Sequence, residues 1–126
     1  PSVDLPMSYP SVEEFASGYF LTKKGMKWFR SHYLETPEQV YEAELLFLEQ
    51  DLSSLPPAFI ITAGFDPLRD EGKAFADRLS EHNVPVKHIC YTDMIHGFLS
   101  FSGGISAGMD LIEEIGSELR ENLFTG

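Results

Sequence analysis

The sequence predicts an α/β fold with parallel strands, on three observations. A short apolar run rich in β-branched residues, residues 58–63 (AFIITA), ends at Gly64-Phe65-Asp66-Pro67. A stretch of helical periodicity follows over residues 70–82. A second strand-like run, residues 86–92 (VKHICYT), comes next. The unit from 58 to 92 is long enough for the crossover that two parallel neighbours require.

The elements read in order as follows. Residues 1–12 hold three prolines and three serines and predict a loop. Residues 13–34 are rich in aromatics and predict two short helices parted near Leu21-Thr22-Lys23, with Thr22 as an N-cap. Met26, Phe29 and Tyr33 keep helical spacing, and Trp28 lies beside them. A further helix is predicted over about 38–50, with Thr36 as cap and Pro37 in its first turn. Residues 51–57 (DLSSLPP) form a loop marked by proline. The strand at 58–63 has the continuous apolar character of one buried on both faces. In the 70–82 helix, Phe75, Ala76 and Leu79 share a face, and Asn83 provides a left-handed stop. After the 86–92 strand, residues 93–104 predict a glycine-containing loop. Residues 106–123 predict a closing helix with Met109, Ile112, Ile115, Leu119 and Leu123 on one side. Two parallel strands alone leave faces and edges open, so further strands are expected from outside this sequence.

Composition narrows the function classes. The 126 residues carry 9 Lys plus Arg against 20 Asp plus Glu, a formal net charge of -11. This argues against nucleic acid and anionic lipid as partners, since both need a basic face. With 43% hydrophobic residues the chain can pack a core. Its one cysteine, Cys90, cannot form a disulfide within the chain, which fits a reducing, cytoplasmic setting. No apolar run is long enough to span a bilayer, and the first residues have no signal-peptide pattern. The first residue is Pro1 rather than Met, which points to a chain that starts inside a longer protein or after processing.

Two residues stand where chemistry gathers in α/β sheets, at the carboxyl ends of strands: Asp66 after the first and His96 after the second. Each has a plain structural reading. Asp66 before Pro67 can simply close a turn, and a lone histidine is commonly a satisfied, half-buried one. As a pair they gain another reading, because an aspartate can hold one imidazole nitrogen while the other works as a general base. Gly104-Ile105-Ser106-Ala107-Gly108 fits G-x-S-x-G, but no convincing strand leads into it and it follows the histidine. Capping of the last helix is the expected role of Ser106 or a neighbour. Asp70 and Glu71 open a helix, where negative charge suits the dipole. Asp93 is expected to be a solvated loop carboxylate. His32, His82, His88 and Cys90 show no metal-ligand spacing, and Cys90 is expected to pack in the strand.

The thirteen residues Ile60 to Gly72 (IITAGFDPLRDEG), preceded by Leu55-Pro56-Pro57-Ala58, resemble the acid-bearing stretch of hormone-sensitive-lipase-like esterases. Tyr91 with Met94-Ile95-His96-Gly97-Phe98 resembles their histidine motif. Gly18-Tyr19-Phe20-Leu21-Thr22, with Met26 and Trp28-Phe29, is similar to part of their helical cap. The likeness runs over most of residues 8–104, in the family's order. It implies the C-terminal part of a doubly wound, mostly parallel α/β-hydrolase sheet with cap segments. Residues 1–12 would be a loop, 13–50 the cap, and 51–126 the core.

It further implies a serine carboxylesterase acting on short to medium acyl esters, with Asp66 as triad acid and His96 as base. Trp28, Phe29, Leu68, Ile95 and Phe98 would line the substrate pocket. The nucleophile serine and oxyanion loop would lie upstream, in an N-terminal half that is this chain's partner. No cofactor or metal is implied. Dimers through the edge strand 86–92 are implied as well. Asp93 departs from the glycine common in the family, and residues 38–50 depart from its usual cap. Two other readings are a receptor-like binding protein of the same fold and a free-standing interaction module. Retention of His96 favours the enzyme over the first, and open sheet edges argue against the second.

Overall fold

The computed structural model describes residues 2–42 and 45–124, with side chains to 122. Ala43 and Glu44, within the predicted 38–50 helix, and the Leu123 side chain of the last predicted stripe lie outside the described residues. The chain divides into two compact units, Pro1–His96 and Gly97–Gly126.

In the first unit the leading helix, α1 (Pro10–Glu14), starts within the stretch expected to be loop, because Pro10 presets the first turn. The second, α2 (Lys23–Tyr33), begins where predicted: the Thr22 hydroxyl accepts the Gly25 N–H at 3.0 Å. The predicted 38–50 helix is absent as such. Among the described residues its place holds short 3-10 turns, including Pro37–Tyr41 and Phe47–Glu49. The Gln39 side-chain carbonyl accepts the Glu35 and Thr36 N–H groups, which fixes the first turn, but the apolar spacing beyond it suits no α-helix face.

Strand β1 (Ala58–Phe65), helix α3 (Arg69–Glu81) and strand β2 (Val86–Ile95) form the predicted unit, with β1 and β2 parallel. Asn83 takes a positive φ of 60°, ending α3 as its short amide side chain allows. One face of the sheet packs on α3, where Leu52, Ile60, Ala76, Leu79 and Val84 make a core extended by Phe47 and Phe75. The expectation of a strand buried on both faces holds on this face and, across the sheet, only at Ala63, which is buried. On the other, Phe59 and Ile61 are half-buried and Phe65 is exposed, stacked on Tyr19 and edge-on to Phe15. A second core joins Val12 of α1, Met26 of α2 and Leu68.

β2 runs three residues further than the predicted 86–92, because the strands change register at their ends. Ala63 pairs with Tyr91, but Phe65 pairs with Ile95. Thr92, Asp93 and Met94 thus stand opposite the single residue Gly64, a bulge of two extra residues.

In the second unit a 3-10 turn, Phe98–Phe101, precedes helix α4 (Ser106–Phe124). The predicted apolar stripe is not the buried one: Met109, Ile112 and Leu119 are exposed and Ile115 is half-buried. Instead Gly108 and Leu111 are buried. Gly108 turns that face to the preceding turn, since a Cβ there would come within 2.7 Å of the Ser102 Cα. Ser106 is the first residue of α4 and no strand leads into it, so it sits on no nucleophile elbow.

Candidate active site

Asp66 follows β1 directly and is buried. One carboxylate oxygen, Oδ1, accepts the Leu68 N–H at 2.8 Å and closes the turn around Pro67. The Asp66 carbonyl accepts the Arg69 N–H, starting α3. The other carboxylate oxygen, Oδ2, lies 2.8 Å from His96 Nδ1. Turn closure and the contact to His96 thus use different oxygens of the one carboxylate.

The neighbouring residues hold this turn still. Ser11 of α1 donates its hydroxyl to the Pro67 carbonyl at 2.7 Å, and its N–H donates to Asp70 Oδ2 at 2.9 Å. Arg69 donates to Asp70, to Glu14 and to the Gly64 carbonyl, and its guanidinium lies 4.9 Å from the centre of the Phe15 ring. The Asp70 and Glu14 carboxylates raise its pKa and keep it charged. Asp70 thus does more than suit a helix dipole.

Glu71 is wholly buried, which its sequence context does not announce. Its Oε1 accepts the Val3 and Asp4 N–H groups at 2.8 and 3.4 Å, and Oε2 has no hydrogen-bond partner among the described residues. Burial pushes its carboxyl up to about 7. The signal that could have revealed it is the leading segment, whose backbone N–H groups need acceptors.

His96 follows β2 and has a side chain 38% exposed. Among the described residues nothing hydrogen-bonds its Nε2. With Nδ1–H donated to Asp66, Nε2 carries the free lone pair, an arrangement suited to taking and returning a proton.

His96 lines a cleft of about 680 Å³ within the first unit. Leu21, Met26, Phe29, Tyr33 and Leu68 give the cleft apolar walls, and Arg30 adds one cation, held by a bond from Nη1 to the Leu5 carbonyl. Of the pocket residues expected from sequence, Phe29 and Leu68 line this cleft. Trp28 does not; it is exposed and packs on Phe29 and His32. Ile95 is half-buried at the end of β2 and is not among the lining residues either. Phe98 belongs to the second unit, where it is buried. Most of the cleft was missed from sequence, the leading segment and Phe47 and Phe75 included; on α2 the missed residues are Met26, and Arg30 and Tyr33, one turn along from Met26 and Phe29. Their helical spacing was the available signal.

The other three histidines have local partners. His32 Nδ1 meets the Trp28 carbonyl, His82 meets Asp51, and His88 meets the Thr62 hydroxyl at 3.0 Å. No group of three or more potential metal ligands occurs among the described residues, nor any helix long and apolar enough to cross a membrane.

Comparison with known proteins agrees with this architecture. A family model described as alpha/beta hydrolase fold matches residues 1–100. A carboxylic ester hydrolase, LipN of Mycobacterium tuberculosis, is 36% identical over 98% of this chain and 33% of its own length. An arylesterase of Saccharolobus solfataricus is 36% identical over 79% of the chain and 33% of its own. The hyperthermophilic esterase of Pyrobaculum calidifontis superposes with a TM-score of 0.89 at 33% identity, over 96% of this chain and 41% of that one. The chain spans about a third of the length of the curated relatives it matches. With a parallel strand pair, an acid and a histidine at its tips, and kin of this kind, the chain belongs to the α/β-hydrolase fold family, among the hormone-sensitive-lipase-like esterases.

Proposed function

We propose that this chain supplies the acid and the base of a serine carboxylesterase acting on short to medium acyl esters. The observation that carries the reading is the 2.8 Å bond from His96 Nδ1 to a buried Asp66, with Nε2 unengaged among the described residues and the imidazole lining an apolar cleft. Asp66 fixes the tautomer and orientation of the ring and stabilises the imidazolium that forms. Nε2 takes the proton of the serine hydroxyl as its oxygen attacks the ester carbonyl. It gives that proton to the departing alcohol, and the acyl-enzyme is cleared by water activated in the same way. The serine and the donors for the oxyanion belong to the parent protein upstream of these residues. The chemistry requires neither a metal nor an organic cofactor. The apolar walls suit an acyl chain rather than a charged one.

The edge of β2 is the surface we assign to pairing with a second copy of the protein, since among the described residues that strand hydrogen-bonds only to β1 as a sheet neighbour.

The test is an assay of the full-length protein on short p-nitrophenyl esters. His96→Ala should lower kcat by about 10⁴-fold or more with modest change in KM, as expected for loss of a triad base. Unchanged turnover in the variant would sink the assignment.

A further inference from the structure

We propose that Gly64 is a positioning residue for the His96 base, because the backbone of the β2 bulge occupies the place where its side chain would stand. The proposal rests on the esterase reading of Asp66 and His96.

Three observations carry it. First, the bulge and the glycine face each other: Thr92, Asp93 and Met94 stand opposite Gly64 alone, between the pairs Ala63–Tyr91 and Phe65–Ile95. Second, a Cβ on Gly64 would overlap the Thr92 carbonyl oxygen and lie 2.7 Å from the Thr92 Cα. These are backbone atoms, so no side-chain rotation relieves the overlap, and one strand must move. Third, the two sides are unequally held. The Gly64 carbonyl accepts from Arg69 at 3.2 Å, Arg69 is bonded to Glu14 and Asp70, and the following turn is fixed by Leu68 and Ser11. Thr92 and Asp93 are exposed. Displacement therefore falls on β2, four residues before His96. The acid stays in place while the base moves.

A shift of about 1 Å stretches a 2.8 Å bond past useful hydrogen-bonding length. It also moves Nε2 by a similar amount from the atom it must deprotonate, which costs up to about 10²-fold in rate. Substrate binding by the α2 wall of the cleft is untouched, so the loss belongs in kcat. Asp93 enters as the release. Glycine at this bulge position gives the backbone more conformations, letting the strand bow around a methyl group at 64 without dragging His96.

The experiment uses the full-length protein. Gly64→Ala should lower kcat about 10- to 100-fold with KM near wild type. The downfield proton resonance of the imidazole N–H donated to Asp66 should weaken or vanish. Asp93→Gly alone should leave both near wild type, and the double variant should recover much of the lost kcat and the resonance. A Gly64→Ala protein with wild-type kcat and an intact resonance overturns the proposal. So does one that loses its circular-dichroism signal together with the double variant, since Gly64 would then hold the sheet rather than aim the base. A wild-type protein without ester hydrolysis would count against the esterase reading instead, while the resonance comparison would still judge Gly64.

Discussion

At the scale of single residues, Asp66 makes two contacts that substitutions can separate. Asp66→Asn keeps an oxygen for the Leu68 N–H, so the turn and fold should persist with a Tm close to wild type. Its amide can donate where the carboxylate accepted, which favours the wrong imidazole tautomer. kcat should therefore fall on the order of 10⁴-fold. Asp66→Ala removes the turn bond as well, and should add a stability loss of about 1 kcal/mol, read as a lower denaturation midpoint. A similar Tm loss in both variants would show that the oxygens are not independent. The sequence made these two residues legible because each comes at the carboxyl end of a strand, where an acid and a histidine can pair, and the resemblance then implied their roles. Glu71 was not legible. A charged residue in the first turn of a helix is ordinarily solvated, and nothing local says that the leading segment folds back over it.

At the scale of elements, Glu71 ties the leading segment to α3, and its protonation sets the strength of that tie. Burial raises its carboxyl from the usual 4.5 to about 7, opposed by the Val3 and Asp4 N–H groups and reinforced by the Asp4 charge. Tyr9 faces the same cluster, and its phenol is pushed up by burial and by both carboxylates. The sign follows from where the proton is held. Below pH 4.5 folded and unfolded chains both carry it, and the group costs nothing. Between 4.5 and about 7 only the folded chain does, so stability falls as pH rises, by about 3 kcal/mol in all, and levels off above. Glu71→Gln keeps the acceptor for Val3 without the charge. It should flatten this slope and melt above wild type at pH 8, in thermal unfolding of the full-length protein at pH 5 and 8. Equal slopes would mean that the carboxylate is better solvated than its burial implies. Other elements illustrate which sequence signals are strong. Thr22, Asn83 and the two strand starts were readable because caps, left-handed stops and β-branched runs act locally. The length of β2 was not, because a bulge depends on what lies opposite it. The buried side of α4 was not either: Gly108 offers no hydrophobic signal, yet its missing side chain decides which face turns inward.

At the scale of the whole molecule, the described residues leave much apolar surface in water. The sheet has two strands, fewer than a parallel sheet needs for independent stability. Trp28, Phe29, Ile112 and Leu119 are exposed, as is Phe65 at the end of β1. The relatives it matches are up to about three times as long, and further strands and cap segments in a chain of that length would have room to cover such faces. For these 126 residues by themselves two forces then compete. Exposed strand edges and apolar patches favour association. The net charge of -11 opposes it, but only over a Debye length, about 8 Å at physiological ionic strength and about 3 Å at 1 M salt. The isolated chain should therefore bind a hydrophobic dye, melt without a sharp transition, and move from small to large species in light scattering as salt rises. It should not cleave p-nitrophenyl esters, because among the described residues no hydroxyl is hydrogen-bonded to Nε2 of His96. Supplying the upstream half in the same cell should restore a cooperative melt and the activity together. A soluble monomer of this length that melts sharply at every salt concentration and cleaves esters would show that the fold is complete without other strands. It would also return attention to the hydroxyls the chain does carry.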